Sequence, residues 1–311
     1  MTDEFSRIAR YFAPLAGEEG LGLANDAAVL KPPPGRELVL TVDQMLEGVH
    51  FLSGDDPALI ARKLLRRNLS DLAAMGAVPI GYLLTTALPA GLEEAWLAGF
   101  AAGLAEDQKR YGISLYGGDS SSARHDISLS ATLIGHVAPG AALSRGGAAP
   151  GDEIWVTGTI GDAALGLKAR FGELTDPTGY LTSRSLLPEP RVGLELAGIV
   201  SAAIDVSDGL LQDLGHICRQ SGAGAVIVAD DVPASKQAAA FGAAMLEARL
   251  TDGDDYELVV TVPPDRVASF KAACGVLPVT RIGHMVAGAG VEVCDQAGRV
   301  LRFGKAGWQH F

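Results

Sequence analysis

The sequence predicts an α/β or α+β protein built from two domains. Three observations carry that prediction: short segments with strand-like alternation are interleaved with Ala- and Leu-rich helical stretches, no tandem repeat interrupts them, and a Gly- and Pro-rich join divides the chain near its middle. At 311 residues, 48% hydrophobic and 20% charged, the chain can bury a large core, and its length favours two domains over one. The join is Arg145-Gly-Gly-Ala-Ala-Pro-Gly-Asp152, between strands expected at Leu129–Val137 and Glu153–Val156, so the domains are set at 1–148 and 149–311.

In Glu37–Asp43 the two-residue period puts Leu38, Leu40 and Val42 on one face and Val39, Thr41 and Asp43 on the other. Thr41 and Asp43 therefore aim their oxygens together at a strand end. A helix is expected around 60–75, with Leu64, Asn68, Asp71, Leu72 and Met75 within one arc, so Asp71 projects from the apolar side. A second helix is expected around 93–110. Tyr116-Gly-Gly-Asp119 then follows a short strand, Ile113–Tyr116; its glycines let the backbone approach a phosphate while Asp119 carries metal, and a tight turn with a capping Asp is the alternative.

Thr157-Gly-Thr-Ile-Gly-Asp162 reads as a structural turn, and helices are expected around 162–170, 190–200, 209–220, 235–248 and 264–273. Ala203-Ile-Asp-Val-Ser-Asp-Gly-Leu210 is a strand running into a helix, with Asp205, Ser207 and Asp208 at the junction. Ser207 or Asp208 could be the N-cap there, and the same helix N-terminus could hold an anion. Val291–Cys294 and Val300–Phe303 around Gly298 form a hairpin pattern.

Asp26, Asp43, Asp71, Asp119, Asp205 and Asp208 all sit at ends of apolar segments. A carboxylate beside hydrocarbon costs several kcal/mol unless paired, and no comparable set of Lys or Arg is expected beside these acids. Any one of them reads equally as a cap or a buried ion pair. Together they point to Mg²⁺, a hard cation that takes one or two carboxylates and completes its shell with water and substrate phosphates. The residues alone thus indicate a metal-dependent phosphotransferase that uses ATP.

Other classes are disfavoured. A net charge of −12 opposes a nucleic-acid surface. No apolar run is long enough to span a bilayer, and Asp3 and Glu4 do not suit a signal peptide, so the cytoplasm is the expected compartment. Cys218, Cys274 and Cys294 show no paired spacing and are expected to be reduced and structural. The histidines lack ligand spacing; His50, directly after the Asp43 strand, could reach a substrate phosphate. Arg145 is the best single candidate for a phosphate clamp, with a solvated surface residue as the alternative.

The chain resembles the thiamine-monophosphate kinases, a family within the superfamily that includes aminoimidazole ribonucleotide synthetase. The resemblance runs end to end and is carried by Asn25-Asp-Ala-Ala-Val29, Thr41-Val-Asp-Gln-Met-Leu-Glu-Gly-Val-His-Phe51, Asn68-Leu-Ser-Asp-Leu-Ala-Ala-Met-Gly-Ala77, Gly117-Gly-Asp119, Ile204-Asp-Val-Ser-Asp-Gly-Leu210 and Gly253-Asp-Asp-Tyr-Glu-Leu258. It implies ATP-dependent conversion of thiamine monophosphate to thiamine diphosphate, with several Mg²⁺ ions on Asp26, Thr41, Val42 through its backbone, Asp43, Asp71, Asp119, Asp205 and Asp208. It implies ATP contacts at Tyr111, Gly118, Asp119, Arg145 and Ser207, and substrate contacts at His50, Asp254 and Trp308, the last by stacking; tail packing is the alternative for Trp308. It further implies a homodimer whose first domains, carrying ATP and Mg²⁺, pair into a β-barrel, and a C-terminal α/β domain that completes the nucleotide and substrate site. Asn25, Ser120-Ser-Ser122 and Asp254 depart from the family pattern of Asp, Thr-Thr-Arg and Glu.

Transfer is expected to be direct and in line, with no protein nucleophile, because the acceptor phosphate is already ionised at neutral pH. The alternatives are an ATP-dependent ligase or cyclase of the same superfamily and a non-catalytic acidic module that binds metal or nucleotide. Relatives that make selenophosphate or mature hydrogenase need a reactive Cys near a flexible end, whereas Cys294 lies in an expected strand.

Overall fold

The fold follows from two sheets, one exposed on a face and one buried on both. A computed structural model describes residues 4–308, and the chain divides into two units, Met1–Leu72 with Ala77–Gly140 and Ala73–Gly76 with Ala141–Phe311. Gly146 to Gly151 lies inside the second unit.

The first unit runs α1 (Glu4–Arg7), β1 (Glu37–Leu46), α2 (Pro57–Ala74), β2 (Val78–Pro89), α3 (Glu94–Tyr111), β3 (Ser114–Ala123) and β4 (Ser128–Val137). Its four strands lie in the order β1-β4-β2-β3, with β4 antiparallel to both neighbours and β2 parallel to β3. Alternation along β1 sets the role of each face. Met45 is fully buried, whereas Leu38, Leu40, Val42 and Leu46 are exposed. On the inner side Tyr82, Leu84, Leu129 and Leu133 are buried, as are the helix residues Leu65, Leu69, Phe100 and Leu104. Asp71 of α2 accepts from Thr41 of β1, and Gln108 of α3 donates to the Tyr82 hydroxyl of β2, which ties both helices to the sheet. A Cβ at Gly103 would lie 2.2 Å from the Ala58 carbonyl oxygen, so the α2–α3 crossing needs glycine there.

The second unit runs β5 (Glu153–Thr157), α4 (Asp162–Arg170), α5 (Tyr180–Leu186), β6 (Ala202–Asp205), α6 (Leu210–Ser221), β7 (Gly224–Val228), α7 (Lys236–Ala239), α8 (Leu246–Thr251), β8 (Leu258–Val262), α9 (Val267–Cys274), β9 (Val279–Val286), β10 (Gly290–Cys294) and β11 (Val300–Leu301). The strand order is β11-β10-β7-β9-β5-β8-β6, antiparallel except for β7 with β10. Alternate residues of the central strands enter opposite cores. Ile154, Val156, Ile204 and Val259 pack with Leu210, Leu214 and Ile217 of α6. Trp155, Ala203, Leu258 and Val260 pack with Phe270 and Cys274 of α9. A sheet covered on both faces explains why every residue of β8, Leu-Val-Val-Thr-Val, is buried.

Several expectations need correction. Residues 190–200 are not helical: Pro188 precedes them and Pro190 opens them, Gly193 and Gly198 take φ of 90° and 73°, and Leu196 and Val200 fill the α9-side core from an irregular chain. The helix expected over 235–248 is broken into α7, a 3₁₀ turn and α8, with Gly242 at φ 61°. The strand expected to stop at Tyr116 continues to Ala123, so Gly117, Gly118 and Asp119 lie within β3, opposite Leu83, Leu84 and Thr85 of β2. The pairing shifts register between Tyr82 and Leu83. A Cβ on Gly118 would sit 1.8 Å from the Leu84 carbonyl oxygen, so Gly118 serves a close strand approach and not a turn. The C-terminal hairpin forms as β10 and β11, with Cys294 ending β10.

Candidate active site

In the first unit the strand–helix geometry brings one group of oxygens together. The Thr41 hydroxyl donates to Asp71 Oδ2 at 2.6 Å, and Asp43 lies two residues along the same face of β1. Asp43 is not left without a cation: Arg67 Nε donates to its Oδ2 at 3.3 Å. The sequence did not single out this one basic partner, although a comparable set of Lys or Arg beside the six acids was not expected. Arg67 and Asp71 are one turn apart on α2, so the helix carries a cation to the strand together with the carboxylate. His50, in the turn after β1, accepts from the Leu46 amide through Nδ1 at 3.0 Å, and its carbonyl oxygen accepts from Lys63 Nζ at 3.3 Å.

Asp26 and Asp119 lie elsewhere in this unit. Both line a cavity of about 650 Å³ with Asn25, Gly117, Gly118, Thr85 and an apolar wall that includes Phe12, Leu30, Leu83 and Ile134. Asp119 is in register with Thr85 on β3 and β2, and Gly118 precedes it on β3, opposite Leu84. Tyr111 is not among the cavity residues; its ring packs under the guanidinium groups of Arg66 and Arg110 at 5.6 and 5.4 Å. Val42 is exposed on the face of β1 opposite Thr41 and Asp43.

In the second unit the junction between β6 and α6 organises the site. Asp205 ends β6 and is buried. Gly209 is the helix N-cap at φ 126°, where a Cβ would meet the Thr251 backbone. No side chain caps the helix from Ser207 or Asp208, so that reading is corrected. Instead Asp213 reaches back from the first turn, its Oδ2 accepting the Asp208 and Gly209 amides at 3.0 and 3.1 Å. Burial, and next the charge of Asp208, pushes the Asp213 carboxyl up to about 7.

Asp254 is joined to the same loop. Its amide donates to the Ser207 carbonyl, Tyr256 N donates to Val206, and the Tyr256 hydroxyl donates to Asp254 Oδ1 at 3.0 Å. Both Asp254 and Tyr256 take positive φ, 70° and 53°, a conformation held by these bonds. A Cβ on Gly253 would be 1.8 Å from the Ser207 carbonyl oxygen, so the two loops can run this close only with glycine. Trp308 N donates to the Asp208 carbonyl at 2.9 Å, and the indole is 51% exposed. One ligand atom each from Asp208, Asp213 and His216 lies within 4.8 Å of the others. Burial lowers the His216 pKa, as do the charges of Arg219 and Arg145, so the exposed Arg145 acts on this same region.

The second unit thus gathers Arg145, Asp205, Ser207, Asp208, Asp254 and Trp308, while the first holds Thr41, Asp43 and Asp71 as one group and Asp26, Gly118 and Asp119 as another. Asn25, Arg67, Gln212, Asp213 and His216 were not singled out as site residues in the sequence. Asp213 and His216 did carry a signal, being one helical turn apart on α6 and so on one side of it. The donors are hard oxygens, and Asn68 Oδ1, one turn before Asp71, is buried without a hydrogen-bond partner. Both features fit Mg²⁺. By contrast, Asp162 accepts from the Thr159 and Ser235 hydroxyls at 2.6 and 2.5 Å, in keeping with a structural turn.

Comparison with known proteins gives the family. Residues 24–137 match the family model for the N-terminal domain of AIR synthase related proteins, and residues 149–295 match that for the C-terminal domain. The thiamine-monophosphate kinase of Caulobacter vibrioides is 43% identical over 99% of this chain and 90% of its own length. This chain belongs to the thiamine-monophosphate kinase family. The crystal structure of the Stenotrophomonas maltophilia thiamine-monophosphate kinase superposes with a TM-score of 0.82 at 40% identity, covering 90% of this chain and 91% of that one. A structure described as AaThiL complexed with AMPPCP and TMP superposes with a TM-score of 0.80 at 30% identity, covering 99% and 97%. The two-domain fold is that of this family. Among the described residues, no helix is long and apolar enough to cross a membrane.

Proposed function

We propose that this protein phosphorylates thiamine monophosphate to thiamine diphosphate with ATP. The observation that carries the reading is full-length relatedness to thiamine-monophosphate kinases, including a relative solved with AMPPCP and TMP. The polar groups gathered in each unit support it.

Asp26, Thr41, Val42 through its carbonyl, Asp43, Asp71, Asp119, Asp205 and Asp208 are the residues proposed to hold Mg²⁺. When bound, Mg²⁺ neutralises phosphate charge so that two polyanions can approach. The chain's own groups orient the reactants. The exposed Arg145 guanidinium suits a forked contact with phosphate. Gly118 leaves main chain accessible in the Asp26–Asp119 cavity, and Ser207 and Tyr111 complete the proposed ATP contacts. Asp254, held at positive φ, and the half-exposed Trp308 ring offer a polar and a stacking contact to the thiamine moiety, and His50 a contact to its phosphate. Transfer from ATP to an ionised phosphate oxygen needs no strong base, so positioning and charge neutralisation suffice and no residue is assigned as a nucleophile.

A homodimer is part of the reading. Leu38, Leu40, Val42, Leu46, Val78 and Leu83 leave an apolar face on the first sheet, which a second copy can cover by closing a barrel. Action in the cytoplasm is part of the same reading. The test is incubation with ATP, Mg²⁺ and thiamine monophosphate, with chelator and Asp43→Asn controls, following thiamine diphosphate by chromatography. Metal-dependent product, lost in the variant, is expected. ATP binding without thiamine diphosphate would refute the reading.

A further inference from the structure

We infer that Gln212 is a positioning residue that fastens the C-terminal tail carrying Trp308 to Asp208; this rests on the reading of Asp208 as a metal ligand and Trp308 as a substrate contact. Gln212 lies on the first turn of α6. Its Nε2 donates to Asp208 Oδ2 at 2.9 Å and to the Trp308 carbonyl oxygen at 2.8 Å. A primary amide nitrogen carries two hydrogens, so one side chain serves both acceptors. The Trp308 amide closes the ring by donating to the Asp208 carbonyl at 2.9 Å. Three hydrogen bonds therefore join one helix side chain, one loop residue and the tail.

The packing is specific to this route of the tail. A Cβ at Gly307 would lie 2.4 Å from Gln212 Cβ, so glycine is what lets the chain pass directly over this side chain. Further back, the Gly304 amide donates to Glu247 Oε1 at 2.6 Å, and Lys305 Nζ meets Asp252 Oδ1 at 2.5 Å. Those contacts fix the course of the tail. Gln212 does something different, since its donor is shared between the tail and a carboxylate proposed to hold metal. The orientation of Asp208 and the placement of the Trp308 ring are thereby linked, and a residue that touches neither thiamine nor ATP affects how well the acceptor is held.

Gln212→Leu keeps most of the bulk and removes both donations, while Gln212→Lys restores a donor. In metal-free protein, acrylamide quenching of Trp308 emission is read as the difference between each protein and its Trp308→Phe counterpart. The tether predicts quenching about twofold greater in Gln212→Leu, because the tail opens locally. It also predicts a KM for thiamine monophosphate raised about tenfold with kcat changed less than about threefold, the scale of one lost bond to a charged group. Gln212→Lys should recover most of both effects, with the unfolding midpoint unchanged. Wild-type quenching and KM in Gln212→Leu would overturn the inference. So would a fall in kcat with no rise in KM. The quenching arm needs neither metal nor substrate, so it decides the tether even if wild-type protein makes no thiamine diphosphate and the functional reading falls.

Discussion

Replacing Asp213 by Asn should change how stability depends on pH, because this carboxyl is buried beneath the loop that carries Asp208. Its pKa is pushed from the ordinary 3.8 up to about 7, first by burial and then by the Asp208 charge, against the pull of the loop amides. Between those two values the folded protein binds a proton that the unfolded chain has released. Stability from this group is therefore complete below about pH 4, falls as pH rises towards 7, and is flat above that. At about 1.4 kcal/mol per pH unit the whole span is worth roughly 4 kcal/mol, of which roughly 2–3 kcal/mol falls between about pH 5 and pH 8. Asn at 213 keeps an acceptor for the two amides and removes the titration. Urea unfolding of metal-free wild-type and Asp213→Asn protein, measured in steps across that range, should show the wild type losing stability relative to the variant by roughly that amount. Parallel curves would refute the placement of an ionisable group in this buried position.

Other substitutions test separate parts of the account. Asp71→Asn removes the carboxylate paired with Thr41 and should lower kcat/KM roughly 100-fold at limiting Mg²⁺, with the unfolding midpoint little changed; steady-state kinetics against Mg²⁺ concentration checks this. Gly253→Ala forces a methyl into the Ser207 carbonyl and should cost about 2 kcal/mol or more of stability, read by denaturant unfolding. Trp308→Ala should raise KM for thiamine monophosphate about tenfold with a smaller change in kcat, since about 1–2 kcal/mol of stacking and burial is lost in ground and transition states alike. Leu40→Lys places a charge among the exposed apolar side chains of the edge strand β1 and should yield monomer in sedimentation velocity at concentrations where the wild type is a dimer.

What was legible in the sequence was whatever a short period encodes. The alternation of Glu37–Asp43 separated Thr41 and Asp43 from Leu38, Leu40 and Val42, and the helical arc put Asp71 on the inner side, where it meets Thr41. Contacts across long stretches of chain were not legible. Arg67 was visible as a residue, but its pairing with Asp43 depends on how α2 crosses β1. Gly117 and Gly118 look like a turn because most Gly-Gly pairs are turns; that they lie in a strand is decided by the backbone of Leu84 on its neighbour. Residues 190–200 carry apolar spacing compatible with a helix, yet two glycines at positive φ and flanking prolines let Leu196 and Val200 reach the core without one. Asp213 was passed over because the nearer Ser207 and Asp208 were the obvious cap candidates, whereas the helix is closed from inside.

The central claim is transfer of the γ-phosphoryl group of ATP directly to thiamine monophosphate. Rapid-quench single turnover with γ-labelled ATP, excess protein, Mg²⁺ and thiamine monophosphate tests it most directly. The account predicts that label appears in thiamine diphosphate in step with ADP, never on the protein, and that chelator or Asp71→Asn suppresses both products. ADP formed without labelled thiamine diphosphate, or label trapped on the protein before product appears, would contradict it.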